Sequence, residues 1–321
     1  MPVSPVLTPL PGARSPRDPQ RAIKRGPSRV PREQVVATQR DRLYDGLVRT
    51  VAERGYANAS VSDICRVSGV TRPAFYEHFE SKQGAFLAAY RHGTDVLFAM
   101  LRHAFRDAVD IDEVVDGADG SGAVDDSDDA GAAAGAGASA DAAGAYADAD
   151  DVTAHAADGT AHAAEIPCPA ADYETDVETW TRATSAVLSV LLDVLASVPA
   201  FATAAIVEID AVGPAGRQAR SERLRDFEAF FALAPATPPA VDRGELVNAV
   251  VAGAYGTLYR YIANGRTTEL PNLLPGLVYF VVAPFVGPEI AAKASHAALA
   301  DHPRSVAPCV PPQADAGVGS D

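Results

Sequence analysis

Cysteine, tryptophan and methionine are scarce in this chain of 321 residues, at three, one and two. Cys65, Cys168 and Cys309 lie far apart in unlike contexts, which argues against a disulfide framework or a cysteine zinc site. Cys65 reads as a small core residue. No nucleophile motif, metal-ligand spacing or phosphate loop is present, so an enzyme is not expected, nor a cofactor or metal. His155 and His162 stand at unhelpful spacing in a low-complexity stretch, and His296 and His302 lie near a Pro-rich tail. Long apolar runs are missing too. The nearest, Leu277 to Val286, contains Pro284, and no membrane span is expected. The N-terminus is rich in Pro and Arg without an apolar stretch, unlike a secretory signal, so a cytoplasmic location is expected. Short strands rich in Val, Ile and Tyr are absent, which leaves an all-α chain with room for two domains.

Basic residues are absent from one region altogether. Residues 107–181 hold 20 acids and no Lys or Arg, whereas residues 1–106 hold 17 Lys/Arg against 9 Asp/Glu. The overall charge of −15 therefore hides a basic N-terminal third. Attraction to phosphates is expected there despite the acidic total. Asp116 to Ala164 is mostly Ala, Asp, Gly and Ser, with too few large apolar residues to offset ordering entropy, and is expected to be disordered. It reads as a solvated linker, with a DNA-mimicking acidic tail as the alternative.

Residues 60 to 82 carry the most information. Ser60 caps a short helix, with Asp63 completing an acidic capping box, and Gly69 ends it after Val61, Ile64 and Val67. Thr71 caps a second helix, with Pro73 in its first turn. Phe75 and Phe79, four apart, share a side that packs on Val61, Ile64 and Val70, leaving Arg72, Pro73 and Tyr76 on another. This is a helix-turn-helix whose second helix enters a DNA major groove. A preceding helix from about Pro31 to Arg54, with an apolar stripe through Val36, Leu43, Leu47, Val48 and Val51, holds the pair. Before it, Arg25 and Arg29 belong to a Pro-interrupted basic arm, read either as a phosphate or minor-groove contact or as a leader without a fixed role.

The stretch from Val70 to Lys82 resembles the recognition helix and following turn of the tetracycline-repressor (TetR) family, and Gly55 to Ile64 resembles the approach to its first helix-turn-helix helix. Val247 to Gly287 is more loosely similar to effector-binding domains in one branch of that family. The resemblance implies that Arg72, Pro73, Ala74, Glu77 and His78 face base edges or the adjacent backbone. It also implies phosphate contacts by Tyr76, by Lys82 from the next helix, and by Ser60, with Thr71 opening the reading helix. Arg72 suits guanine and Ala74 a thymine methyl. Glu77 suits cytosine or is a solvated acid, and His78 is a neutral hydrogen-bonding group or helix surface.

The implied architecture is an N-terminal three-helix DNA-binding domain followed by a helical effector-binding and dimerisation domain. Expected boundaries are a basic arm over 1–32, the helix-turn-helix domain over 33–80, linking helices over 81–106, the acidic insertion over 107–171, the effector domain over 172–300 and a disordered tail over 301–321. Gly93-Thr94 is expected to break the linking helix. Helices near 245–262 and 271–285 are expected to pair two copies, the latter being apolar on nearly all sides. Trp180, Phe201, Phe227, Phe230, Tyr255 and Tyr259 are candidates to line an apolar pocket. Glu208 shares a stripe with Phe201 and Ala205, and either points into that pocket or bonds a neighbouring Arg or helix end. The expected protein is a homodimeric repressor released from a palindromic double-stranded operator by a small apolar effector. A DNA-bound scaffold of the same fold is the alternative.

Overall fold

The computed structural model describes residues 9–15, 31–116, 177–235, 237 and 240–301. Arg25 and Arg29, the acidic stretch beyond residue 116 and the tail from 302 lie outside the described residues. Within them every regular element is helical, as expected.

Helix α1, Arg32–Arg54, buries Leu43, Leu47, Val48 and Val51 and ends at Gly55, whose φ of 77° suits glycine. Helix α2, Val61–Ser68, opens with the expected capping box and closes on Gly69 in the left-handed region, φ 66° and ψ 28°. Helix α3, Arg72–His78, is capped by Thr71. Gly46 lets α1 and α2 approach closely, because a Cβ there would meet Ser68 Cβ at 2.8 Å.

Helix α4, Lys82–Asp116, runs 35 residues without interruption. The expected break at Gly93-Thr94 is absent. Thr94 Oγ1 donates back to the Tyr90 carbonyl within the helix at 2.9 Å. A Cβ on Gly93 would collide with the Phe201 ring, so this glycine provides room for a neighbour rather than a hinge. The helix also continues through residues 107–116, which charge alone had assigned to the insertion.

The second half is built on α5, Val177–Ser197, with ten buried residues from Thr179 to Leu195. A sharp bend at Val198 leads to α6, Pro199–Ala202, a π-helical turn Thr203–Val207 and a 3-10 turn Glu208–Val212. Helix α7, Pro214–Asp226, passes into a 3-10 turn Phe227–Phe231. Then come α8, Arg243–Ala263, a 3-10 turn Thr267–Leu273, α9, Leu274–Val286, and α10, Pro288–Asp301, which had not been anticipated. Helix α5 packs between α4 and α9, and α10 lies along α9.

Two expectations need correction. Thr267–Val286 is, by length and a mean hydropathy of 1.4, apolar enough to cross a membrane, although its most apolar run had looked too short. Its apolarity has a local cause: Leu277, Val278, Val281, Val282 and Phe285 are buried in the domain core, while Tyr279 and Phe280 remain exposed. The expectation of a flexible arm over 1–32 also fails at residues 9–15. Leu10 is buried, Gly12 N–H donates to Asp45 Oδ1 at 2.6 Å, and Arg49 Nη2 donates to the Gly12 carbonyl at 2.8 Å. Gly12 has φ 87° and lies against Val48, Val198 and Ala200, so this turn bridges α1 and the α5–α6 bend.

Candidate nucleic-acid interface and interior cavity

Helix α3 is too short to stand alone, and two aromatics hold it down. Phe75 is fully buried, with Phe79 at 5.6 Å between ring centroids and Tyr44 of α1 at 5.9 Å from Phe79. The opposite side is open. Thr71, Arg72, Pro73, Tyr76 and Glu77 are exposed, and Ala74 is half-buried at the margin. Arg72 makes no hydrogen bond or ion pair among the described residues, so its five donors are available. Tyr76, 50 % exposed, is held edge-on by Phe75 at 5.3 Å.

Three expected DNA contacts have other partners in the structure. His78 is half-buried with Nε2 3.2 Å from Gln39 Oε1, which ties α3 to α1. Burial lowers its pKa, so it is neutral at pH 7. Lys82 Nζ donates to the carbonyls of Tyr56 at 2.8 Å and Ala59 at 2.9 Å and lies 4.2 Å from the Tyr56 ring centre. Two of its three donors are therefore spent on the α1–α2 connection. The Ser60 hydroxyl accepts from Asp63 N–H at 3.1 Å and donates to Asp63 Oδ2 at 2.6 Å. The Ser60 hydrogen bond holds the Asp63 carboxyl below its usual range, with Arg66 adding to it.

Residues 43–89 match the family model of bacterial regulatory proteins of the tetR family. The chain carries a tetR-family DNA-binding domain. Over 83 residues it is 31 % identical to the HTH-type transcriptional activator FasR of Mycolicibacterium smegmatis, covering 26 % of this chain and 36 % of that relative. Over 68 residues it is 34 % identical to the HTH-type transcriptional repressor Rv1474c of Mycobacterium tuberculosis, covering 21 % of this chain and 36 % of that relative. The chain thus matches about a third of the length of these relatives. No solved structure matches it.

Beyond this tetR-family domain, α4, α5, α7 and α8 enclose a cavity of about 1000 Å³, its open mouth included. Phe201, Phe227, Phe230 and Tyr255 line it, as the sequence suggested. Trp180, Tyr259 and Glu208 do not. Trp180 is sealed behind the wall, its Nε1 donating to the Phe230 carbonyl at 3.1 Å. Tyr259 points outward and is 40 % exposed. Glu208 turns to the tetR-family domain, where its Oε2 accepts the Tyr56 N–H at 2.6 Å beside Gly55. This carboxylate follows directly on the π-helical turn that contributes Ala205 and Ile206 to the cavity wall.

The cavity wall is nearly all apolar, with a few polar groups. Tyr255 O–H donates to the Ile206 carbonyl at 2.8 Å, and burial pushes its pKa up to about 12. Burial raises Tyr90 as well. Arg220 is paired with Asp210, and Arg223 with Asp95 and Asp226. Thr184 is buried in the wall with its hydroxyl unpartnered. The sequence reading missed Thr184. It was legible as the lone hydroxyl on the stripe Trp180, Thr184, Val187, Leu188 and Leu191.

Proposed function

We propose that the protein is a homodimeric transcriptional regulator that binds a palindromic operator through α3 and is released by a small, largely apolar effector bound in the α4–α5–α7–α8 cavity. The observation that carries the reading is the division of α3: Phe75 and Phe79 anchor one side while Arg72, Pro73, Tyr76 and Glu77 are left open. An arginine with no internal partner at the start of such a helix suits a guanine edge in the major groove, and Tyr76 suits a phosphate. The apolar, outward Tyr279 and Phe280 on α9, with Phe280 lying against Gly253 of α8, support pairing of two copies. Glu208 supports the coupling. An occupant pressing on Ala205 and Ile206 shifts the turn that carries this carboxylate, and with it the Tyr56 amide at the foot of the DNA-binding domain.

Genome-wide mapping of bound sites tests the reading. Palindromes over a few promoters are expected, with occupancy falling when the effector accumulates. Dispersed sites unrelated to promoters would instead favour a DNA-bound scaffold, and no preference for any duplex over random competitor would remove the DNA-binding role.

A further inference from the structure

Resting on the effector reading just proposed, we infer that the cavity takes an uncharged, elongated apolar molecule bearing an oxygen, and that Thr184 is the residue that reads that oxygen. Length comes from the walls. Helix α5 lines the cavity from Thr184 to Leu195, about 16 Å at 1.5 Å per residue, and α4 lines it from Tyr90 to Phe98, about 12 Å. A compact ligand would leave much of this apolar surface uncovered.

Neutrality comes from the charges at the edge. Both arginines that reach the cavity already have carboxylate partners: Asp210 for Arg220, and Asp95 with Asp226 for Arg223. The Arg220 Nε–H and Asp210 Oδ1 have no hydrogen-bond partner, yet they belong to one ion pair whose charges cancel. An ionic ligand would be desolvated without a counter-ion, which apolar walls do not repay.

The oxygen comes from Thr184. Thr181 and Ser185 on the same helix satisfy their hydroxyls on the carbonyls of Glu178 and Thr181, both at 2.9 Å. Thr184 does not: it is 7 % exposed and its Oγ1 has no partner, in a wall where valine would fit the same space. A buried hydroxyl left so is destabilising unless an occupant completes it. Its Oγ1 has almost no accessible surface, so a turn about χ1 is needed to bring its donor and acceptor to a ligand carbonyl or hydroxyl.

Trp180, the single tryptophan of the chain, stands behind Phe230 and reports occupancy by fluorescence. Full-length protein is titrated with ten-carbon probes of one shape: 1-decanol, 2-decanone, 1-chlorodecane, decanoate and decylammonium. Saturable binding of the neutral probes is expected, with the two ions at least about 10-fold weaker. Thr184→Val should weaken decanol and decanone about 3- to 10-fold, the loss of one hydrogen bond, and leave chlorodecane unchanged. A thermal melt at or above that of the wild type shows the variant folded. Ions binding as tightly as decanol, or alcohol affinity surviving Thr184→Val, overturns the inference while leaving an effector cavity in place. If no probe moves Trp180 while duplex DNA is still bound, the effector reading itself falls, and this inference with it.

Discussion

Arg72 and Lys82 carry the same charge but are placed for different work. Arg72 is exposed and unpaired at the start of α3, so Arg72→Ala should relax base preference at one operator position and cost about 1–3 kcal/mol of binding. Titration against operator variants at fixed salt measures both, and unchanged preference would move base reading elsewhere on the helix. Lys82 is bound to two carbonyls and stacked near Tyr56. Lys82→Met keeps the stem and removes the ammonium, so a loss of about 1–2 kcal/mol of folding stability is expected. Urea unfolding reads it, and a variant as stable as the wild type would return Lys82 to a purely phosphate-facing role. This contrast separates what sequence makes legible from what it does not. The open side of α3 follows from helical period and the Phe75–Phe79 pair. The partners of Lys82 and His78 were not readable, because each side chain reaches equally well to solvent, to DNA or to a nearby protein group. Only the folded position of Tyr56, Ala59 and Gln39 decides.

At the scale of elements, caps and stripes set α1, α2 and α3 closely, since Ser60, Gly69 and Thr71 each supply a local reason for a helix to begin or stop. Helix α4 failed as a sequence reading for the opposite reason. A glycine within a helix has two physical meanings, flexibility and room, and Gly93 has the second because Phe201 of α6 arrives from over a hundred residues later. Gly93→Ala decides between them. As a helix former, alanine should gain about 1 kcal/mol at such a position. Overpacking against the Phe201 ring costs about 1–3 kcal/mol, and the ring can yield only toward the cavity that it lines. Net destabilisation is therefore expected in chemical unfolding. A more stable variant would mean that the ring moves freely and that α4 and α6 are loosely joined. The same close approach places Phe201 in the cavity wall, so the variant should also narrow the space available to an occupant.

For the whole molecule, the proposed dimer would have to place its two copies of α3 about 34–36 Å apart, one on each half-site. The surface proposed for that pairing is on α8 and α9. The apolar stripe of α8 through Val247, Val250, Leu258 and Ile262 turns inward, leaving Gly256 and Tyr259 outside, and α9 adds Gly276, Tyr279 and Phe280. A Cβ at Gly256 or Gly276 would meet nothing within 4 Å, so both helices present low ground between aromatic ridges. A two-fold interface uses each residue twice, which doubles the effect of a charge placed there. Tyr279→Glu sets two carboxylates into a desolvated seam, and because Tyr279 is 41 % exposed in the single chain, folding of the protomer should be unaffected. Sedimentation should then shift from dimer to monomer with circular dichroism unchanged, and operator affinity should fall steeply with protein concentration while the salt dependence of each reader is kept. A variant that still sediments as a dimer would place the two-fold axis away from α9. The spacing of the two copies of α3 would then have to come from another face of the effector domain.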